Sequence, residues 1–122
     1  MAVNPTHVLV VEDEVLIRLS IVCELEEAGF IVFEASNSTT AIEILIAHPE
    51  IQAMFTDINM PGGVSGLVLA AAVRDRWPPI HIIVTSSLFK LTIADLPIRA
   101  TFLAKPYDAD EVVRTFRHLA AA

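Results

Sequence analysis

Five short runs rich in β-branched and aromatic residues alternate along this chain with segments of helical spacing. That alternation limits the possible folds more than any other feature. His7-Val-Leu-Val-Val11, Phe30 to Glu34, Ile51 to Thr56, Ile80 to Val84 and Thr101 to Ala104 read as strands. After the first, Leu16, Leu19 and Cys23 follow helical spacing up to Gly29, a natural helix stop. A polar cluster from Ser36 to Thr40 opens a second helix, with Ala41, Ile42, Leu45 and Ile46 on one face and Pro49 beyond its end. Leu67 to Trp77 is helical in composition and is stopped by Pro78-Pro79, and Ser86 to Leu96 should hold a short helix before Pro97. The last helix has the clearest pattern: Asp108 and Glu111 have capping-box spacing, and Val112, Val113, Phe116, Leu119 and Ala120 line one face.

Parallel neighbours need crossover connections, so strands alternating with helices predict a parallel sheet with helices on both faces. The expected fold is α/β, a doubly wound five-stranded parallel sheet of flavodoxin-like order 2-1-3-4-5. A sheet covered on both sides also explains a composition that is 54% hydrophobic, because such strands lose their in/out alternation. No apolar run approaches the roughly 18 residues of a membrane span. The opening MAVNPTHVLVVEDE has no basic leader, and acids cut its apolar stretch short, so neither a signal peptide nor an anchor is expected. The 122 residues suit a single domain over 1–122. The net charge of −7, with eight scattered Lys and Arg, disfavours nucleic acid as a partner. Cys23 is the only cysteine, which excludes an intrachain disulfide and a thiolate metal cluster; it is expected to be a small buried residue in a cytoplasmic protein. The four histidines lack metal-ligand spacing.

Ligands of open parallel sheets bind outside the carboxyl ends of the strands. Strand 1 ends there in Glu12-Asp13, strand 3 in Asp57, strand 4 in Thr85-Ser86 and strand 5 in Lys105-Pro106. Taken singly, each has a plain reading: a solvated turn favouring the next helix, an Asx turn, a helix entry, a surface loop. Jointly they place three carboxylates on neighbouring strands, which resist ionising together without a counterion. Mg²⁺ suits a few carboxylate oxygens plus waters. With Lys105 as a second cation and Thr85 as a hydroxyl donor, the set could bind a dianion, of which a phosphoryl group is the obvious candidate.

The segments VLVVEDE, FTDINMPGG, IIVTSS and FLAKPY, in this order, resemble the conserved blocks of response regulator receiver domains, from about His7 to Leu119. The resemblance implies that Asp57 is the phosphorylated aspartate of a two-component phosphorelay. It implies that Glu12, Asp13, Asp57 and the main-chain carbonyl of Asn59 hold Mg²⁺, and that Lys105 contacts Asp57 and then a phosphoryl oxygen. Thr85 would turn its hydroxyl inward on phosphorylation, and Phe102 would follow it, remodelling a face built from the 86–96 segment, strand 5 and the last helix. Without the resemblance, Phe102 reads as a plain core residue beside Leu103. The implied partners are a histidine kinase or histidine phosphotransfer protein and a downstream protein target, with no output domain attached and no membrane involved. The loop after Asp57 is one residue longer than the commonest family pattern, with Gly62-Gly63 to absorb it. Asn59 and Ser87 match positions that tune dephosphorylation. The 86–96 segment is unusually apolar, with Leu88, Phe89, Leu91 and Ile93 close together.

A haloacid-dehalogenase-like phosphatase is the competing enzyme, but it generally needs a second aspartate where this chain has Asn59, and a nucleophile after strand 1. A flavodoxin-like cofactor binder would need a phosphate loop where Glu12-Asp13 would repel it. The expectation is therefore a signalling receiver whose only catalysis is on its own aspartate.

Overall fold

The computed structural model describes residues 6–59, 65–86 and 99–121. Nine elements follow one another there: β1 (His7–Val11), α1 (Val15–Glu27), β2 (Ile31–Ala35), α2 (Ser38–Ala47), β3 (Ile51–Asp57), α3 (Gly66–Arg76), β4 (His81–Ser86), β5 (Thr101–Ala104) and α4 (Ala109–Ala121). The strands form one sheet of order β2-β1-β3-β4-β5, parallel throughout, as expected. Apart from Ser86, which closes β4, the short helix expected over Ser86 to Leu96 lies outside the described residues. So do Gly62, Gly63 and Ser87.

Alternation along the strands divides the core in two. Leu9, Val11, Met54, Ile82 and Val84 pack with Ala41 and Leu45 of α2 and Leu69, Ala70 and Val73 of α3. Val8, Val10, Phe55 and Ile83 face the other way, onto Ile21, Val22 and Leu25 of α1 and Val112, Val113 and Phe116 of α4. Helix ends are set by local chemistry. Gly29, at φ 98°, closes α1 in a Schellman motif, its N–H donating to the Glu26 carbonyl and that of Phe30 to the Leu25 carbonyl, each at 3.0 Å. The Asn37 side chain accepts from Thr40 N–H at 2.8 Å to open α2, and Asp108 Oδ1 accepts from Glu111 N–H at 2.9 Å at the entry to α4.

Sequence expectations about packing are corrected in three helices, α1, α2 and α4. In α1 the stripe Leu16, Leu19, Cys23 faces outward: Leu16 is 83% and Leu19 44% exposed, and Cys23 is exposed rather than buried. The inward stripe is Ile17, Ile21, Val22 and Leu25. This helix is apolar almost all round, so spacing allowed two stripes and the docking against β1 and α4 selected one. In α2, Ile46 is 60% exposed although Ile42 is partly buried, and in α4 Ala120 is exposed while Leu119 packs on the core. Phe102 is not a core residue; it stands on β5 opposite Val84 and is 38% exposed.

Candidate functional site

The register of the sheet gathers the polar strand ends. Asp57 is the last residue of β3 and pairs with Thr85 of β4, while β1 and β3 align Val11 with Thr56 one residue earlier. The β3 backbone continues for one more bond, Ile58 N–H donating to the Thr85 carbonyl at 2.9 Å. Lys105 N–H donates to the Ser86 carbonyl at 3.2 Å, which brings the lysine beside the central strands. Its ammonium donates to Asp57 Oδ2 at 2.7 Å, and Asn59 N–H donates to Asp57 Oδ1 at 2.9 Å. Both oxygens of a carboxylate only 3% exposed are thus held by protein donors. The Asn59 side-chain amide donates to Ser86 Oγ at 3.3 Å, tying the loop after β3 to the end of β4.

Gly66 makes this arrangement possible. A Cβ there would lie 2.1 Å from the Asp57 carbonyl oxygen, so the start of α3 can approach β3 only without a side chain.

Glu12 is the second buried acid, 1% exposed. Its N–H donates to the Ala35 carbonyl at 3.0 Å and its Oε1 accepts from Glu14 N–H at 3.3 Å, but Oε2 is buried with no hydrogen-bond partner. Burial first, and then the charge of Asp57 nearby, push its pKa up to about 7, against the smaller opposing effects of the Glu14 N–H and the Lys105 charge. Burial works against the Lys105 ammonium too, but its hydrogen bond to Asp57 and the charges of Asp57, Glu12 and Glu14 more than offset this and raise its pKa. The loop carrying Glu12 is braced by Arg18, whose Nη1 donates to the Glu12 carbonyl at 2.8 Å while Nε pairs with Glu34 at 2.9 Å. Asp13 follows in the same loop, half-buried. Thr85 is fully buried, and its Oγ1 has no hydrogen-bond partner.

The structure therefore brings Asp57, Lys105, Asn59 and Glu12 together with Thr85 alongside, and leaves Phe102 outside the pocket. Among the described residues no three His, Cys, Asp or Glu side chains converge as a ready-made metal cluster. What the pocket does contain suits a hard cation: an unpartnered buried carboxylate oxygen beside a second carboxylate whose other neutralising charge is Lys105. An unpartnered hydroxyl next to Lys105 and Asp57 suits an anionic oxygen. Gly66, Arg18 and Tyr107 were not found from the sequence. Their importance depends on contacts across the fold, and only Gly66 left a signal, a glycine shortly after a functional aspartate.

The chain belongs to the response regulator receiver domain family, whose model matches residues 8–117. It is 37% identical over 123 residues to a probable transcriptional regulatory protein of Picosynechococcus sp., covering 93% of this chain and 48% of that protein. It is 31% identical over 115 residues to the aerobic respiration control protein ArcA of Escherichia coli, again 93% of this chain and 48% of the relative. The chain thus spans about half the length of these two relatives. Among solved structures, a response regulator receiver protein from Sinorhizobium medicae superposes with a TM-score of 0.88 at 26% identity, covering 98% of this chain and 97% of that one. No helix among the described residues is long and apolar enough to cross a membrane.

Proposed function

We propose that this receiver is a phosphoacceptor switch in which Asp57 takes a phosphoryl group from a histidine kinase or a histidine phosphotransfer protein. The observation that supports this most directly is the state of Asp57: buried, with Lys105 Nζ on one oxygen at 2.7 Å and the Asn59 amide on the other at 2.9 Å. In the transfer a P–O bond forms to an Asp57 oxygen as the P–N bond of the donor phosphohistidine breaks, and the electron pair of that bond returns to the imidazole. Glu12, Asp13, Asp57 and the main-chain carbonyl of Asn59 would hold Mg²⁺, which would supply neutralising charge for the phosphoryl oxygens. Lys105 moves part of its hydrogen bonding from Asp57 to one of those oxygens, and the Thr85 hydroxyl donates to another.

The Thr85 bond is charge-assisted and worth roughly 1.5–3 kcal/mol, enough to shift an existing equilibrium between two arrangements. In this reading Phe102, 38% exposed, follows Thr85 inward and changes the surface of β5 and α4, where a downstream protein docks. All covalent chemistry is on the chain's own aspartate, so the protein acts as a switch and not as an enzyme on a separate substrate. A net charge of −7 makes that target a protein in preference to nucleic acid.

Backbone amide NMR with Mg²⁺ and beryllofluoride, or with a small phosphodonor, tests this beside Asp57→Asn. Shifts around Asp57, Thr85 and Phe102 that need Mg²⁺ and are lost in the variant are expected. Mg²⁺ binding without any response to either reagent would replace the switch with a constitutive adaptor.

A further inference from the structure

Among the described residues, three buried side-chain polar atoms have no hydrogen-bond partner: Glu12 Oε2, Thr85 Oγ1 and Tyr107 Oη. The proposed function uses the first two. It leaves the third without a purpose, and a buried hydroxyl left unpaired is destabilising in a way that a phenylalanine in the same place would not be.

Tyr107 lies two residues beyond Lys105, on the side of the sheet covered by α1 and α4. Its ring meets that of Phe55 edge-on, with centroids 5.8 Å apart and planes at 73°. Phe55 and Asp57 are two apart on β3 and project to the same side, so the tyrosine sits directly below the acidic pocket. Burial, followed by the charges of Glu12 and Asp57, raises the pKa of its hydroxyl well above the ordinary value, so the phenol keeps its proton and is available as a donor. The ring alone would complete the packing against Phe55; the oxygen adds a buried hydrogen-bonding group that feels the charges of Glu12 and Asp57.

We infer that Tyr107 is a positioning residue of the pocket, its O–H donating to a water that in turn donates to Glu12 Oε2 and so fixes the orientation of the Glu12 carboxylate toward Mg²⁺. One water satisfies both orphaned atoms, as buried waters commonly do. Partners in the second layer of a metal site tune affinity by orienting the ligands. The inference rests on the metal site of the proposed function.

Tyr107 is the chain's single tyrosine, so labelling tyrosine at ¹³Cζ gives one unambiguous resonance. Titration of the full chain with Mg²⁺ should shift that resonance in step with saturation. By calorimetry Tyr107→Phe should bind Mg²⁺ about 3- to 10-fold more weakly, the worth of one net hydrogen bond. Its urea midpoint should be unchanged or higher, which separates positioning from a role in packing. A tyrosine resonance that stays still while the wild type saturates overturns the inference and leaves the proposed function standing, as does wild-type affinity in Tyr107→Phe. If the wild type binds no Mg²⁺, both fall together.

Discussion

Val10, Phe55 and Ile83 are all 0% exposed, and the residues two further along each strand direction, Glu12, Asp57 and Thr85, are 1%, 3% and 0% exposed. The two layers are equally dry and energetically opposite. Each side chain of the lower layer contributes about 1.5–3 kcal/mol by leaving water. In the upper layer Asp57 is held by two donors, but Glu12 and Thr85 each carry a polar atom with no partner, and the two acids stand near one another. Solvent access therefore does not distinguish core from site in this protein. Hydrogen-bond satisfaction does, and the stability of the lower layer is what allows the upper one to stay unsatisfied.

The strongest way to break the comparison is to damage the lower layer. Phe116 is 1% exposed and packs on Phe30 at 5.9 Å between ring centroids. Phe116→Ala should cost about 3–5 kcal/mol in urea unfolding, and should remove the beryllofluoride response only in proportion to the unfolded fraction. The junction between the layers comes next. Gly66→Ala forces a Cβ against the Asp57 carbonyl oxygen, so a loss of about 1–3 kcal/mol is expected, together with a weakened beryllofluoride response in the protein that remains folded.

The smallest effect sharpens the comparison by relieving the upper layer. Glu12 is raised from 4.5 to about 7 on folding, so the native state holds more protons than the unfolded chain between those values. Its contribution to stability is fully present below about pH 4.5 and is lost as pH rises through about 7. Glu12→Gln should thus equal the wild type in acid and exceed it above pH 7 without Mg²⁺, measured as the difference in urea midpoints. A constant difference across that range would mean that Glu12 is not the strained group.

Legibility in the sequence followed chemical type more closely than packing. All five strands and their order were readable, because apolar β-branched runs separated by helical segments leave few alternatives. The α4 stripe was readable because its other face is charged. The α1 stripe was not: with Leu16, Ile17, Leu19, Ile21, Val22, Cys23 and Leu25 on all sides, hydrophobic spacing could not say which face the sheet would take. Glu12, Asp57, Thr85 and Lys105 stood out as polar residues at the ends of apolar strands. Arg18, Gly66 and Tyr107 did not stand out, because the contacts that make them matter join separate segments of the chain.

The sequence by itself determined the strand order, the edge of the sheet that carries the site and the residue types available there, since these follow from local periodicity and from the need to cover both faces of a parallel sheet. Only the tertiary structure decided which face of α1 turns inward, that α3 must start on a glycine to reach the Asp57 carbonyl, and that the Glu12, Thr85 and Tyr107 oxygens are left unpaired. Those outcomes depend on distances of a few ångströms between segments remote along the chain, and no local pattern of residues records them.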